Sequence, residues 1–442
     1  MSQLSLSTAK SCLDAYLDAL EQRASEAVIE LGLERVQVVF DRLFGADAWA
    51  NTQIVTIAGT NGKGSTVAFA EAMARAAGRS VAAYTSPHII RFNERLRLNG
   101  AVCPDSDWLA AFEAVDAARA EVALTYFEQV TLAALMVIER AGPDLALLEV
   151  GLGGRLDAVN VIDADVAVLT SIGLDHMNYL GPTRADIGRE KLGIARANRP
   201  LVIAERDWPA ALETVLSQHP AHVVRVGEAF DWAPVASMGL DPRVWSLTVQ
   251  TERGPTRLVL PPPSLVGAHQ MANAAAAIVA LAQLWGEAFL TTPAVAKGIE
   301  TAQLPGRFET LAHAPDVIVD VAHNEDSAQA LAEALAAQPH SGRTFAVFSA
   351  FADKAVEAMA AALADQVDHW WVAGLDGPRG LSATELMGRV QSGGVTAGLD
   401  AVKSIPDALD RALAQATPID RVVVFGSFQV LAQVSSRWSS KE

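Results

Sequence analysis

The sequence predicts an α/β protein made of two doubly wound units of unequal size. Three observations carry this. Short apolar runs alternate with longer helical stretches through both halves of the 442-residue chain, the pattern of buried strands covered by helices. A glycine-rich turn joins the first such run to a helix. A segment of different texture, from about Val223 to Leu260, interrupts the alternation before a second series begins.

Taken in order, the first element is an amphipathic helix in "MSQLSLSTAKSCLDAYLDALEQ", with Leu13, Leu17 and Leu20 on one face. Buried strands follow in "IVTIA" (54–58), "SVAAY" (80–84), "LALLEV" (145–150) and "VAVLTSI" (166–172), with helical patterns at 64–77, 107–120 and 127–140 between them. "VWSLTVQTERGPTRLVL" reads as a hairpin turning near Gly254, and "PPPSLVGAHQMANAAAAIVALAQLW" then starts a long Ala-rich helix. "DVIVDVA", "RTFAVFSA", "VDHWWVAG" and "DRVVVFGS" are the strands of the second series. Gly298, Pro305 and Gly306 mark the boundary as an interruption of helical pattern, which divides the chain into 1–300 and 301–442. No fixed-period repeat is present.

Composition narrows the function. A formal charge of -17 with no basic stripe argues against a nucleic-acid partner. Cys12 and Cys103 provide no disulfide framework, as in a reducing compartment. No signal-peptide pattern and no run of about 18 apolar residues occurs, so the expectation is a cytoplasmic protein without a membrane partner.

The turn after the first strand reads "AGTNGKGST", from Ala58 to Thr66. It departs from the G-x-x-x-x-G-K-[ST] phosphate loop: Gly59 is three residues before Gly62, and Gly64 separates Lys63 from Ser65. The ingredients of an anion nest are nevertheless present. Glycines turn backbone N–H groups inward, and a helix N-terminus supplies free donors. Lys63 can reach terminal phosphates, and Ser65 or Thr66 can approach a magnesium ion. Gly59, Thr60, Asn61, Gly62, Lys63, Gly64, Ser65 and Thr66 are thus candidate nucleotide contacts. An ordinary Gly-rich turn is the bland alternative.

Four further stretches follow strands or lie close to them: "YTSPHIIRFNERLRLNG", "LEVGLGGRLDAVN", "TSIGLDHMNYLG" and "IGREKLGIAR". Ligands of open α/β sheets collect at the carboxyl ends of strands. With "AGTNGKGST", "LPGRFE" and "DVAHN", these stretches resemble the folylpolyglutamate synthase/dihydrofolate synthase family of Mur-type amide ligases across nearly the whole chain. The resemblance implies a P-loop-containing, Mur-ligase-like N-terminal domain with a small β-rich subregion. A smaller Rossmann-like C-terminal domain would close over ATP and bind glutamate. It also implies ATP-dependent amide formation through an acyl phosphate. Ser86, Glu149, His176 and Lys191 become ligands of two magnesium ions, with Lys191 carboxylated and Lys63, His176 and Lys191 catalytic. Asn273, Arg307 and Asp320 become nucleotide contacts, and His323 a substrate contact. Taken alone, Glu149 could be a solvated strand end, Lys191 a helix lysine, and Asp320 with Asn324 a helix cap.

Two activities share the family: joining L-glutamate to dihydropteroate, and extending folates with further glutamates. "IELGLERVQVVFDRL" and "LTYFEQVTLAAL" resemble the pterin-side pocket of bifunctional members. That implies Gly32, Leu33, Thr125, Tyr126, Phe127 and Glu128 as substrate contacts, with Leu156, Asp157 and Ala158 beside them, in a monomer. Three alternatives stay open: a folylpolyglutamate synthase alone or another Mur-type amino-acid ligase, a GTPase-like switch, and a catalytically dead ATP-binding regulator. A cell-wall ligase has little room, since only about 50 residues precede the loop. The switch lacks the standard loop, and "FADK" (351–354) is a poor base-reading motif.

Overall fold

The computed structural model describes residues 11–24, 31–45, 47–235, 243–338, 340–435 and 437–438. The strands in chain order are β1 (Gln53–Ala58), β2 (Val81–Tyr84), β3 (Leu96–Leu98), β4 (Ala101–Val102), β5 (Leu145–Glu149), β6 (Val166–Leu169), β7 (Pro200–Ile203) and β8 (His222–Arg225). They form one sheet in the order β4-β3-β2-β5-β1-β6-β7-β8. Strands β2 to β8 along this order pair in parallel, and β3 and β4 add an antiparallel edge.

Side-chain alternation explains why the central strands are apolar throughout. Ile54, Ala146, Leu148, Ala167 and Leu169 face one core. Val55, Ile57, Leu145, Leu147, Val166 and Val168 face the other. A strand with two buried faces needs apolar residues at every position. Helices Cys12–Ala24, Glu34–Leu43, Asp105–Arg119 and Tyr126–Ala141 cover the first face through Leu13, Leu17, Leu20, Val36, Trp108 and Leu132. Helices Lys63–Ala76, Gln270–Trp285 and Pro293–Thr301 cover the second.

The segment of changed texture is a three-stranded antiparallel sheet of β9 (Phe230–Pro234), β10 (Trp245–Thr251) and β11 (Gly254–Leu260), ordered β11-β10-β9. Its buried Phe230, Trp245, Leu247 and Val249 join the second core. Gly298 does not interrupt a helix. It lies inside Pro293–Thr301, where a Cβ would come within 2.3 Å of the Met73 side chain. The glycine lets two helices approach closely, so the break in helical pattern comes only after Thr301.

The third sheet holds β12 (Glu309–Ala312), β13 (Asp316–Asp320), β14 (Thr344–Phe348), β15 (His369–Ala373), β16 (Gly398–Val402) and β17 (Arg421–Phe425), in the order β12-β13-β17-β14-β15-β16. All pairs are parallel except β12–β13. This sheet also has a core on each face, one under Glu325–Ala337, Val356–Leu363 and Ala383–Ser392, the other under Ile405–Gln415 and Phe428–Ser435.

Candidate functional site

β1 lies between β5 and β6 in the first sheet, so the loops leaving their carboxyl ends meet. The turn after β1 is laced to the segment after β6. Thr60 N–H donates to Ser171 O at 2.9 Å, Asn61 N–H to Ser171 Oγ at 2.9 Å, and Thr170 Oγ1 to Asn61 O at 2.6 Å. β6 therefore ends at Leu169, not at residue 172 as its apolar run predicts, because Thr170 and Ser171 turn their hydroxyls to this loop.

Two glycines have steric reasons. A Cβ on Gly59 would sit 1.8 Å from Thr170 Oγ1. Gly62 has φ of 86°, and its Cβ would sit 2.3 Å from Asn273 Oδ1. Gly62 caps helix Lys63–Ala76 without a side-chain cap, leaving first-turn N–H groups for an anion. Lys63 Nζ folds onto the loop, donating to Gly59 O at 3.0 Å and Thr60 O at 3.3 Å. Burial pushes its pKa down, opposed chiefly by Glu149.

Glu149 ends β5 and is buried, accepting from Ser86 N–H at 3.2 Å. Burial raises its carboxyl pKa against the pull of Lys63. Lys191, on helix Arg184–Leu192, is 4% exposed. Burial, then the Lys63 charge, pushes its amine down to about 7. His176 stands in the left-handed region, at φ of 52°, and its side chain is 39% exposed. Its neighbour Asp175 binds Lys354 Nζ at 2.6 Å and accepts from Asn324 Nδ2 at 3.3 Å. Burial alone would raise the Asp175 carboxyl. The His323 hydrogen bond and the His176 and Lys354 charges hold it well below the usual range.

A cavity of about 670 Å³ is lined by Gly59 to Gly64, Ser86, Glu149, His176, Lys191, Arg307 and His323. A second, of about 530 Å³, lies across the loop and is lined by Asn61, Gly62, Ser65, Asn273, Arg307 and Asp320. Asn61, Gly62 and Arg307 thus form a shared wall. Neither the Arg307 guanidinium nor the Lys191 amine has a hydrogen-bond or ion-pair partner among the described residues, which suits cations that face an anion or a modification. Asp320 accepts from Phe308 N–H at 2.8 Å and Ala322 N–H at 2.7 Å, and burial raises its pKa against Arg307. Thr66 lines neither cavity. It is 1% exposed behind the loop, its Oγ1 without a protein partner, so Ser65 is the hydroxyl that faces the second cavity.

Among the described residues no three His, Cys, Asp or Glu side chains converge to hold a metal. Magnesium commonly uses one or two carboxylates and completes its shell with phosphate oxygens and water. Glu149 beside Ser86 fits that donor set.

Of the pterin-side candidates, Gly32, Leu33, Thr125, Tyr126, Phe127, Glu128, Leu156, Asp157 and Ala158 do not line the larger cavity. Phe127 and Asp157 stand directly behind it, against Gly151 and Leu152. A Cβ on Gly151, which does line it, would lie 2.5 Å from the Phe127 ring. Thr125 and Glu128 form a capping box on helix Tyr126–Ala141, and Glu128 also pairs with Arg35 at 2.8 Å. Asp157 caps the 3-10 turn Ala158–Val161 while accepting from Leu152 N–H at 2.8 Å; burial lifts it to about 6. Residues 29 and 30 of this stretch lie outside the described residues.

Sequence reasoning missed His88, Asp175 and Lys354, all on the larger cavity. Arg95 Nε donates to His88 Nδ1 at 3.0 Å. Since arginine only donates, the neutral ring carries its proton on Nε2. Burial, then Arg95, pushes His88 down to about 4. "SPH", "LDH" and "FADK" were visible as motifs, but pairing across 179 residues is not a local signal.

Comparison with known proteins agrees with this geometry. Residues 57–281 match the Mur ligase middle domain, and residues 306–428 the Mur ligase, glutamate ligase domain. A dihydrofolate synthase/folylpolyglutamate synthase of Escherichia coli is 40% identical over 96% of this chain and 95% of its own. One of Haemophilus influenzae is 34% identical over 96% and 97%. The structure of E. coli FolC with DHPP and ADP superposes with a TM-score of 0.87 at 39% identity, covering 97% of each chain. A bifunctional folylpolyglutamate synthase/dihydrofolate synthase with Mn, AMPPNP and L-glutamate gives 0.84 at 37%, covering 97% of this chain and 98% of its own. The chain belongs to the dihydrofolate synthase/folylpolyglutamate synthase family of Mur ligases.

Proposed function

We propose that this chain is an ATP-dependent ligase that joins L-glutamate to 7,8-dihydropteroate, giving dihydrofolate, and to folate polyglutamates. One observation carries the reading: two cavities back onto one phosphate-type loop, and the unpaired Arg307 reaches both. The nucleotide occupies the second cavity, with its phosphates at Gly59 to Ser65 and Arg307, its ribose at Asp320 and its base near Asn273. The acid substrate occupies the larger one, backed by Gly32, Leu33, Thr125 to Glu128 and Leu156 to Ala158, with His323 facing the amino acid. Bifunctionality is supported by the relatives that carry both names.

The carboxylate of the acid attacks the γ-phosphorus, and ADP leaves. The glutamate amine then attacks the acyl carbon, and phosphate departs as a proton is lost. Phosphoryl transfer of this kind depends on positioning and charge neutralisation. Lys63 and Arg307 supply fixed positive charge. Magnesium, when bound, would add more, held by Ser86 and Glu149 at one position and by His176 and a carbamylated Lys191 at another. A carbamate forms only from a neutral amine, the state that burial favours at Lys191. We take residues 1–300 and 301–442 as the two domains of a cytoplasmic monomer.

The test is ADP release with magnesium and L-glutamate, comparing dihydropteroate with tetrahydrofolate. Glutamate-dependent release with both is expected. Release with tetrahydrofolate alone removes the synthase half, and release with neither removes the ligase reading.

A further inference from the structure

The two sheets are joined at the larger cavity by a buried polar cluster. Lys354 reaches from the turn before helix Val356–Leu363 to the Asp175 carboxylate, which lies after β6 in the other unit. The N–O distance is 2.6 Å, and the two side chains are 7% and 10% exposed. The turn that presents Lys354 is itself fixed. Arg389 Nη2 donates to Lys354 O at 2.9 Å while its guanidinium holds Glu357. Beside the pair, the amides of Asn61 and Asn324 exchange hydrogen bonds at 3.0 and 3.3 Å, and Asn324 also donates to Asp175. Asn324 is the cap of helix Glu325–Ala337, so its position is set by backbone.

A buried ion pair gains little stability over an apolar pair, but breaking it by removing one partner is costly. In this arrangement of the two units Asp175, Lys354 and both asparagines are satisfied together, the geometry that a register device needs. The cavity it closes is the one in which an activated acyl group has to meet an amine.

We propose that Asp175 and Lys354 are positioning residues whose ion pair keeps the two units closed over the reacting groups, coupling ATP consumption to amide formation. In the coupled path the amine nitrogen attacks the acyl carbon and phosphate leaves. When the pair is broken, water takes the amine's place. The acyl–phosphate bond is hydrolysed to carboxylate and inorganic phosphate, and ATP is spent with no amide formed. The proposal rests on the ligase reading. That reading fails or stands on the unmodified enzyme, whereas this inference is read from a ratio in variants.

The experiment measures ADP released per glutamate incorporated, at saturating L-glutamate, with folding followed by thermal melting. The unmodified enzyme is expected to give a ratio near one. Lys354→Met and Asp175→Asn are each expected to raise it several-fold, and the double variant to do no worse than the worse single. Lys354→Arg, which keeps the charge, is expected to stay within about twofold of the unmodified ratio. If Lys354 served only to bind the amino acid, Asp175→Asn would leave the ratio at one, and saturating glutamate would restore it in Lys354→Met. Either result overturns the proposal, as does additive uncoupling in the double variant.

Discussion

Lys191 shows how one buried side chain links stability to chemistry. Its amine titrates near 7 in the folded chain and at its ordinary 10.5 when unfolded. Between those values the folded state binds fewer protons, so stability rises with pH across the window and the burden of burial is greatest below 7. Lys191→Met is therefore expected to melt several degrees higher than the unmodified protein at pH 6, with a smaller gain at pH 9, by ligand-free calorimetry. Lys191→Ala is expected to abolish ligation at either pH, and normal turnover in it would remove the catalytic assignment. Gly59 makes the opposite case, since its Cβ would enter Thr170. Gly59→Ala is expected to cost about 1–3 kcal/mol by overpacking and to weaken nucleotide binding, as denaturant titration and ADP-binding calorimetry would show. Lys63 stands out from its own loop, and Glu149 and Lys191 only through the motifs that carry the family resemblance; all three line the larger cavity. The partners of Asp175 were not legible, because they come from another sheet.

Among elements, the central strands were readable because both faces are buried, giving continuous apolar runs. The edge strands were not. β16 buries only Val402 fully, and β4 is exposed, so neither carries a hydrophobic pattern. β8 belongs to the first sheet although the texture changes at Val223, since its one fully buried residue is Val224. The stretch T-Y-F-E at 125–128 held a capping signature, S/T-x-x-E, that resemblance to a pocket obscured. Thr125→Ala is expected to cost about 1 kcal/mol in chemical denaturation while leaving the KM for ATP unchanged. An altered KM for ATP would mean that this helix cap reaches across to the nucleotide side.

For the whole molecule, the two-unit layout was legible from the two series of strands, with the break displaced past Gly298 by the close approach to Met73. The cavities between the units were not, since no residue pattern encodes where two surfaces meet. A nucleotide that touches Asn61 and Gly62 of one unit and Asp320 of the other binds only the folded, closed form. At a hundredfold excess over its Kd it is expected to stabilise the protein by about 2.7 kcal/mol. A melt with a non-hydrolysable ATP analogue checks this, and Asp320→Ala should diminish the gain.

The loop after β1 has a hollow on each side, and among the described residues Asn61, Gly62 and Arg307 line both. It works as a partition with two doors. On the proposed reading, ATP and the acid would approach from opposite sides and meet through the phosphate end, so neither would obstruct the other's route in or out. Initial-rate kinetics should then show either reactant binding first, with no dead-end competition between excess acid and ATP.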